Sequence, residues 1–247
     1  MGERVPHRAR SAMFAPLDQT GRVEAVTRRL VDAITLGLLA DEEQLPSEAE
    51  LAGQFGVSTV TIREALMALR QQGLVETRRG RSGGSFVRAP RDHGGEFWRE
   101  RLRDVSLGEL RDLGDHYAAV AGAAARLAAE RSSPEDLERL EQTADDVRGT
   151  SGNGTARAER QFHLEVAAAA QSSRLTQQEV QLQGELGAVL WLSAGCGGGA
   201  DRSYSEHRAI AEAIARADGP LARTLTEKHI LAAVDRAAEV HLELTRQ

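Results

Sequence analysis

Cysteine, lysine and long apolar stretches are nearly missing from this chain of 247 residues. The only cysteine, Cys196, has no partner for an internal disulfide, which fits a reducing compartment. No apolar run approaches the ~20 residues that a membrane-spanning helix needs. The polar, basic residues 1–10 also lack the apolar core of a signal peptide. We therefore expect a soluble, cytoplasmic protein, and at roughly 100–200 residues per domain its length predicts about two domains.

The chain is acidic as a whole, but an excess of positive charge is concentrated in one segment. The net charge of −6 argues against a nucleic-acid partner, because neutralising phosphates requires Lys and Arg. Residues 58–91, however, contain seven Arg against only Glu64 and Glu76. Residues 92–247 contain 18 Lys and Arg against 26 Asp and Glu. The sequence therefore predicts a basic segment attached to an acidic body.

The first part of the chain predicts a winged helix-turn-helix over residues 18–91, behind a tail at 1–17 that shows no helical period. Ser47 and Glu50 have the spacing of a capping box, and Ser58 is a good N-cap for the next helix. The predicted helices cover 23–39, 47–55 and 58–72, and the predicted strands cover 74–77 and 85–87. Three helices followed by an Arg- and Gly-rich hairpin are the order of elements in that fold.

The rest of the chain predicts helices throughout. Apolar stripes at helical spacing cover 106–131, 134–149, 155–171, 174–194, 203–217 and 220–244. The Ala-rich run at 118–129 allows neighbouring helices to approach closely. After a linker at 92–104, we predict an all-α helical bundle over 105–247. The whole chain is then mainly α, with an N-terminal winged helix-turn-helix followed by this bundle.

The helix that begins at Ser58 has the residues of a DNA-reading helix in its first turns. Ser58, Thr59 and Thr61 offer hydroxyls to phosphates or bases, Val60 can contact a thymine methyl, and Arg63 can bind phosphate or guanine. Such a helix inserts its N-terminal residues into the major groove.

The hairpin adds three Arg at its Gly-rich tip, within residues 78–81. Arginines of this kind suit a narrow, strongly negative minor groove. A solvated helix followed by a solvated charge run would contain the same residue types. The order and spacing of the features favour DNA.

Three histidines and one carboxylate form a second set of candidates. Glu159 and His163 are four residues apart on a predicted helix and share one face. His207 and His229 lie on the last two helices, and their meeting depends on how those helices tilt. Together the four would suit Zn²⁺, Ni²⁺ or another divalent first-row metal. The alternative is that each histidine is an ordinary half-buried or surface residue.

The first part of the chain resembles the GntR family of bacterial transcription regulators over about residues 20–90. The matching segments are Leu45-Pro-Ser-Glu-Ala-Glu-Leu-Ala, Phe55-Gly-Val-Ser, Thr61-Ile-Arg-Glu-Ala-Leu, Gly73-Leu-Val and Gly84-Ser-Phe-Val. The resemblance implies that operator DNA is contacted by Ser58, Thr59, Thr61, Arg63, Arg79 and Gly80. The family often has Arg at the positions of Ala49 and Thr59, so this chain differs from it at two DNA-facing positions.

The second part, over about residues 105–244, resembles the FCD ligand-binding domain of the FadR-like GntR subfamily. The matching segments are Phe162-His163, the run from Glu206-His207 to Asp218, and Lys228-His229. Many members of the subfamily hold a metal through an Asp and three His, which correspond to Glu159, His163, His207 and His229. Tyr117 stands where many members have an Arg that helps to bind an organic acid, so the resemblance makes Tyr117 an effector-binding position.

The resemblance therefore implies a regulator and not an enzyme. A homodimer would bind double-stranded operator DNA as a repressor, and a small molecule such as a carboxylic acid would bind near the metal and modulate operator binding. Two alternatives remain open at this point. In one, the ion itself is the signal; in the other, the metal site hydrolyses a substrate, although the His-Glu-x-x-His motif is absent.

Overall fold

The computed structural model describes residues 21–35, 38–78, 83–88, 102–187, 190–191 and 199–246. The predicted tail at 1–17 and residues 92–101 of the predicted linker lie outside this part. The described chain divides into two compact units. The first contains the described residues up to Val31 together with Asp41–Arg88, and the second contains Asp32–Ala40 and the described residues beyond Ala89.

The helices and strands follow the predicted order, and the fold class is confirmed as mainly α. Residues up to 88 form α1 (Arg22–Thr35), α2 (Glu48–Phe55), α3 (Thr59–Gln71), β1 (Val75–Arg78) and β2 (Gly84–Val87). Later residues form α4 (Leu107–Arg131), α5 (Pro134–Asp146), α6 (Asn153–Ala169), α7 (Ser173–Leu182), a π-helical turn (Gln183–Gly187), α8 (Gly199–Ala215) and α9 (Gly219–Thr245).

The helix-turn-helix consists of α2 and α3. Ser47 and Glu50 cap α2 reciprocally: the backbone N–H of Ser47 donates to Oε2 of Glu50 over 2.8 Å. Gly56, with φ of +65°, ends α2 in a left-handed conformation that glycine adopts without strain. Ser58 then caps α3, which buries one apolar face formed by Ile62, Ala65, Leu66 and Leu69.

The hairpin packs behind α3 as a two-stranded antiparallel sheet. Val75 pairs with Val87, and Arg78 pairs with Gly84. An isolated bridge between Gln44 and Phe86 adds the segment before α2 to its edge. Three helices and this hairpin make a winged helix-turn-helix.

Helix α1 is shorter than predicted. The apolar stripe predicted a helix to residue 39, but the described helix covers Arg22–Thr35, and Leu38 and Leu39 are not helical. The N–H groups of Leu38 and Leu39 both bond to the carbonyl of Ala33, which is outside the i to i−4 pattern of an α-helix. Leu38 is 45% exposed, whereas its place in the apolar stripe predicted that it would be buried.

In the second unit, α4 is the central helix. It packs along α9 and also contacts α6, α7 and α8. Small residues allow the close approach of α9: a Cβ at Gly114 would lie only 2.6 Å from Cγ2 of Val234. Buried alanines of α4, including Ala118 and Ala121, line the same core, as the Ala-rich run predicted.

The helix predicted over 174–194 is not continuous in α-helical geometry. α7 ends at Leu182, and a π-helical turn covers Gln183–Gly187. Gly184 and Gly187 favour an α-helix only weakly, and Gln183 is held by buried hydrogen bonds. Residues 188–189 and 192–194 of this prediction lie outside the described part.

Candidate functional site

Four buried side chains of the second unit come together at the meeting point of three helices. Glu159 and His163 lie one turn apart on α6, His207 lies on α8 and His229 lies on α9. One ligand atom from each of the four lies within 4.8 Å of the others. We call these residues the His/Glu cluster. None is more than 2% exposed. The last two helices therefore cross in a way that brings His207 and His229 together.

One carboxylate oxygen is the centre of this cluster. Oε2 of Glu159 lies 2.9 Å from Nε2 of His207 and 3.2 Å from Nε2 of His229. It lies 4.0 Å from Nε2 of His163. Three imidazole nitrogens and one carboxylate therefore converge on a volume that suits a single ion.

The histidines have different protonation tendencies. Burial lowers the pKa of His163 well below its ordinary value, and burial also lowers the pKa of His207. Burial lowers the pKa of His229 too, but the carboxylates of Glu159 and Glu206 outweigh it and raise that pKa to about 9. Burial raises the pKa of Glu159, yet His207 and His229 hold it well below its ordinary value. Neutral imidazole and ionised carboxylate are the forms that bind metals.

Several buried polar atoms at the cluster have no hydrogen-bond partner among the described residues. They include Oε1 of Glu159, Nε2 of His163 and Nδ1 of His207. Buried polar groups are normally satisfied, and a missing partner calls for an explanation such as an ion or a water. All three are imidazole nitrogens or carboxylate oxygens, the atom types that bind metals, so the donor set fits a metal.

Residues that sequence reasoning did not select hold the cluster in place. Nδ1 of His229 donates to Oε2 of Glu206 over 2.6 Å, the kind of outer contact that orients metal-binding histidines. The ring of Phe162 stacks on His207 with centroids 3.9 Å apart. Trp191 stacks on His163 and His229 at 5.2 and 5.3 Å. Glu206 and Phe162 precede two of the histidines directly, which was the available signal, whereas nothing in the local sequence pointed to Trp191.

Tyr117 lies beside the cluster and is fully buried, with its ring centroid 6.1 Å from that of His163. Its hydroxyl donates to Oε1 of Glu179 over 2.7 Å and accepts from Nε2 of Gln183 over 2.6 Å. Burial raises the pKa of the Tyr117 hydroxyl, and burial raises the pKa of Glu179 to about 7. Glu179 and Gln183 were not expected from the sequence, because their partner is more than 60 residues away.

In the first unit, the predicted DNA-reading residues lie at the start of α3. Ser58, Thr59 and Arg63 are exposed and Thr61 is half-buried. The hydroxyl of Ser58 accepts from the backbone N–H of Thr61 over 3.1 Å. The guanidinium of Arg63 donates through Nε and Nη2 to Oε2 of Glu48, over 3.2 and 2.9 Å. The other two predicted contacts, Arg79 and Gly80, lie outside the described residues.

Arg78 differs from the expectation that three Arg point from the hairpin tip. It forms ion pairs with Glu42 and Glu76. Its guanidinium lies over the ring of Phe86, 4.2 Å from the centroid. Because these contacts hold Arg78 on the body of the first unit, we assign it a structural role in the hairpin.

Comparison with known proteins places the two units in described families. Residues 22–87 match the family model for bacterial regulatory proteins of the gntR family, and residues 112–232 match the FCD domain. RmpR of Mycobacterium gastri, an HTH-type transcriptional regulator by its description, is 40% identical over 223 residues, which are 89% of this chain and 81% of RmpR.

Two further similarities cover most of the chain. The galactonate operon transcriptional repressor of Escherichia coli is 26% identical over 89% of this chain and 98% of its own length. The solved structure of E. coli McbR/YncC has a TM-score of 0.50 at 19% identity, and the match covers 90% of this chain and 98% of that chain. This structural likeness shows the fold alone.

Within the described residues, no helix is both long and apolar enough to span a membrane.

Regulators of the gntR family bind operator DNA and small-molecule effectors, and FCD domains often bind a metal. The chain belongs to the GntR family of bacterial regulatory proteins, has an FCD domain that follows the winged helix-turn-helix in the sequence, and is a DNA-binding transcriptional regulator and not an enzyme.

Proposed function

We propose that a small molecule bound beside a divalent metal in the FCD domain modulates the operator binding of this regulator. The observation that carries the proposal is the His/Glu cluster. Its four ligand atoms come from three helices, lie within 4.8 Å of one another and are buried. Exposed groups of this kind occur without ions, but a buried set with unpartnered ligand atoms is costly unless something binds it.

The metal in this proposal is Zn²⁺ or Ni²⁺, held by Glu159, His163, His207 and His229. Three imidazole nitrogens and one carboxylate oxygen suit both ions. Glu159 stands in place of the Asp of related sites, and its longer side chain still brings Oε2 within 3.2 Å of two histidine nitrogens. A bound ion of this kind would supply open coordination positions for water or an anionic ligand.

The effector in this proposal is an organic acid that reaches the metal directly. Tyr117 cannot supply the charged, bidentate donor that Arg offers a carboxylate. Its hydroxyl is also engaged with Glu179. Tyr117 would therefore shape the effector-binding space and contribute a polar contact, while the carboxylate would bind the ion. The similarity to a repressor named for the galactonate operon fits an acid.

The DNA contacts in this proposal are Ser58, Thr59, Thr61, Arg63, Arg79 and Gly80. A homodimer would place two such surfaces on a two-fold-related operator and act as a repressor in the cytoplasm, where operator DNA lies. The effector and the operator would be coupled reciprocally, since each must change the affinity of the other by the same factor.

Electrophoretic mobility shift with the DNA upstream of the protein's own gene tests this function. We expect a shift that a panel of small organic acids weakens only with the metal-loaded protein. Elemental analysis of His163→Ala, His207→Ala and His229→Ala should show loss of the metal in each. Unchanged metal content in all three variants would contradict the site, and no shift by a folded protein at low salt would contradict operator binding.

A metal sensor, with the ion itself as the signal, is the second candidate. The cluster supplies four buried ligand atoms from the protein alone, so an ion would not need an organic ligand to complete its site. Operator affinity that changes with the concentration of Zn²⁺ or Ni²⁺ and not with organic acids would support the sensor.

A further inference from the structure

Arg63 is already engaged before any DNA is bound. Its Nε and Nη2 atoms donate to the same oxygen of Glu48, at 3.2 and 2.9 Å. A guanidinium has five N–H donors, so this contact uses about two of them and leaves about three. The pair joins the first residue of α2 to the first turns of α3 and so bridges the two helices of the helix-turn-helix.

The pair lies on the surface that the first unit presents at the start of α3. The side chain of Arg63 is 64% exposed and that of Glu48 is 39% exposed. Thr59 and Val60 of the same helix are exposed beside it. Glu48 therefore adds a negative charge to a surface whose proposed partner is a polyanion.

The charge of Glu48 has opposite effects on the two kinds of DNA contact. Contacts to phosphates depend on net positive charge, because each neutralised phosphate releases a counterion. An Arg paired with a carboxylate contributes little net charge to this term. Contacts to base edges depend on directed N–H donors, and Arg63 keeps several of these while Glu48 restrains its orientation.

From this geometry we propose that Glu48 is a specificity-determining residue that acts through Arg63. It weakens binding to DNA of arbitrary sequence and holds the guanidinium for the operator. The proposal rests on the DNA-binding role of α3 and is independent of the metal and the effector. A purely structural role is the alternative, since a carboxylate at a helix N-terminus stabilises the helix.

Fluorescence anisotropy of the full chain with a labelled duplex of random sequence tests the proposal. Glu48→Gln removes the charge and keeps the shape. Glu64→Gln is the matched control, because Glu64 is exposed next to Arg63 and makes no hydrogen bond or ion pair with a described residue. We expect Glu48→Gln to bind random DNA about threefold or more tightly at ~50 mM salt, with a salt slope steeper by about one.

The ratio of affinities for operator and random DNA should fall in the same variant, with an operator selected from a random pool by the wild-type protein. Glu48→Gln affinities within about twofold of those of Glu64→Gln would overturn the proposal. In the Arg63→Gln background, Glu48→Gln should have little further effect. An undiminished gain there would also overturn it, because Glu48 would then repel DNA without involving Arg63.

Thermal melting by circular dichroism accompanies each variant. If Glu48→Gln does not fold, Glu48→Ala, which places a strong helix former at this position, takes its place. Failure of the wild-type chain to bind any DNA would contradict the function of α3. Wild-type binding without a Glu48 effect would contradict only the present inference.

Discussion

At the residue scale, His229 lies between two carboxylates. Nε2 lies 3.2 Å from Oε2 of Glu159, and Nδ1 lies 2.6 Å from Oε2 of Glu206. Burial lowers its pKa, but the two carboxylates outweigh burial and raise the pKa to about 9. At neutral pH the ring is therefore an imidazolium, and a metal must displace its proton. Metal affinity should rise as pH increases towards about 9.

Glu206→Gln should weaken metal binding. The amide keeps a polar group near Nδ1 of His229 but loses the charge that orients the ring and increases its basicity. Loss of such an outer contact typically reduces metal affinity about 10–100-fold. Competition with a chromogenic chelator measures the change. Glu138→Gln, an exposed position on α5, is the control, and equal affinities of the two variants would show that Glu206 has no role at the metal.

At the element scale, α4 determines how closely the helices of the second unit approach one another. Two of its glycines, Gly114 and Gly122, face α9 closely: the Cβ of a residue at Gly122 would lie 2.6 Å from Cγ of Glu227. Tyr117, on the same helix, joins Glu179 of α7 and Gln183 of the π-helical turn. Small residues and one buried polar network therefore set the position of α4.

Gly114→Ala should destabilise the protein although Ala is the better helix former. The new Cβ would lie 2.6 Å from Cγ2 and 3.0 Å from Cγ1 of Val234, so α4 and α9 would have to move apart. Overpacking of this kind costs about 1–3 kcal/mol. Urea denaturation measures it. Gly108→Ala on the same helix meets only Ser106 Oγ at 4.0 Å and should stabilise by up to about 1 kcal/mol; a similar gain at Gly114 would contradict the packing argument.

Glu179→Gln should stabilise the protein at high pH and have little effect in acid. Burial raises the pKa of Glu179 from 4.5 to about 7 in the folded chain. The folded state then retains a proton that the unfolded state releases, so this residue makes stability fall as pH rises from about 4.5 to about 7. Gln removes that loss and keeps an acceptor for Tyr117.

The expected gain for this substitution is on the order of 1–3 kcal/mol at pH values above about 7. Thermal melting of both proteins at about pH 5 and about pH 8 measures it. A difference in stability that does not change between these two pH values would show that Glu179 is ionised in the folded protein or that the substitution acts through packing.

At the scale of the whole molecule, the acidic second unit carries a core whose polar cluster joins α6, α8 and α9. The net charge of −6 therefore says little about DNA binding, because residues 58–91 contain seven Arg against two Glu. A metal in the His/Glu cluster would cross-link three helices that are far apart in sequence, so its binding would contribute to the stability of the fold.

Removal of the metal should lower the melting temperature. A ligand at about 100 times its dissociation constant stabilises the folded state by about 2.7 kcal/mol. For a chain of this size that corresponds to roughly 5–10 °C. Differential scanning fluorimetry of metal-loaded protein before and after chelation measures the shift. His207→Ala should show no shift with chelator, and a shift of equal size in that variant would mean that the metal binds elsewhere.

The local elements were the most predictable part of the structure. The capping box of Ser47 and Glu50 and the N-cap Ser58 depend on residues within three positions of one another. Such capping signals indicate a helix start whatever the helix packs against. The non-helical conformation of Leu38 and Leu39 and the π-helical turn after Leu182 were not predictable. Apolar periodicity indicates which face of a helix is buried, but not where packing interrupts the helix.

The four residues of the His/Glu cluster could be named from the sequence, but the distances between them could not. Glu159 and His163 share a face by spacing alone, whereas the distances to His207 and His229 depend on how α6, α8 and α9 cross. Trp191, Glu179 and Gln183 had no local signal, since their contacts join residues that are distant in sequence. The pairing of Arg63 with Glu48 also requires the turn between two helices.

The order of elements, the mainly α fold class and the family follow from the amino-acid sequence, because caps, periodicity and motif spacing are local properties of the chain. Which polar groups share a buried volume follows from the packing of the helices, and the raised pKa of His229 and the partners of Tyr117 and Arg63 follow from it too. The physical reason is that charge interactions and desolvation depend on distances of a few ångströms between helices, and helix crossing sets those distances.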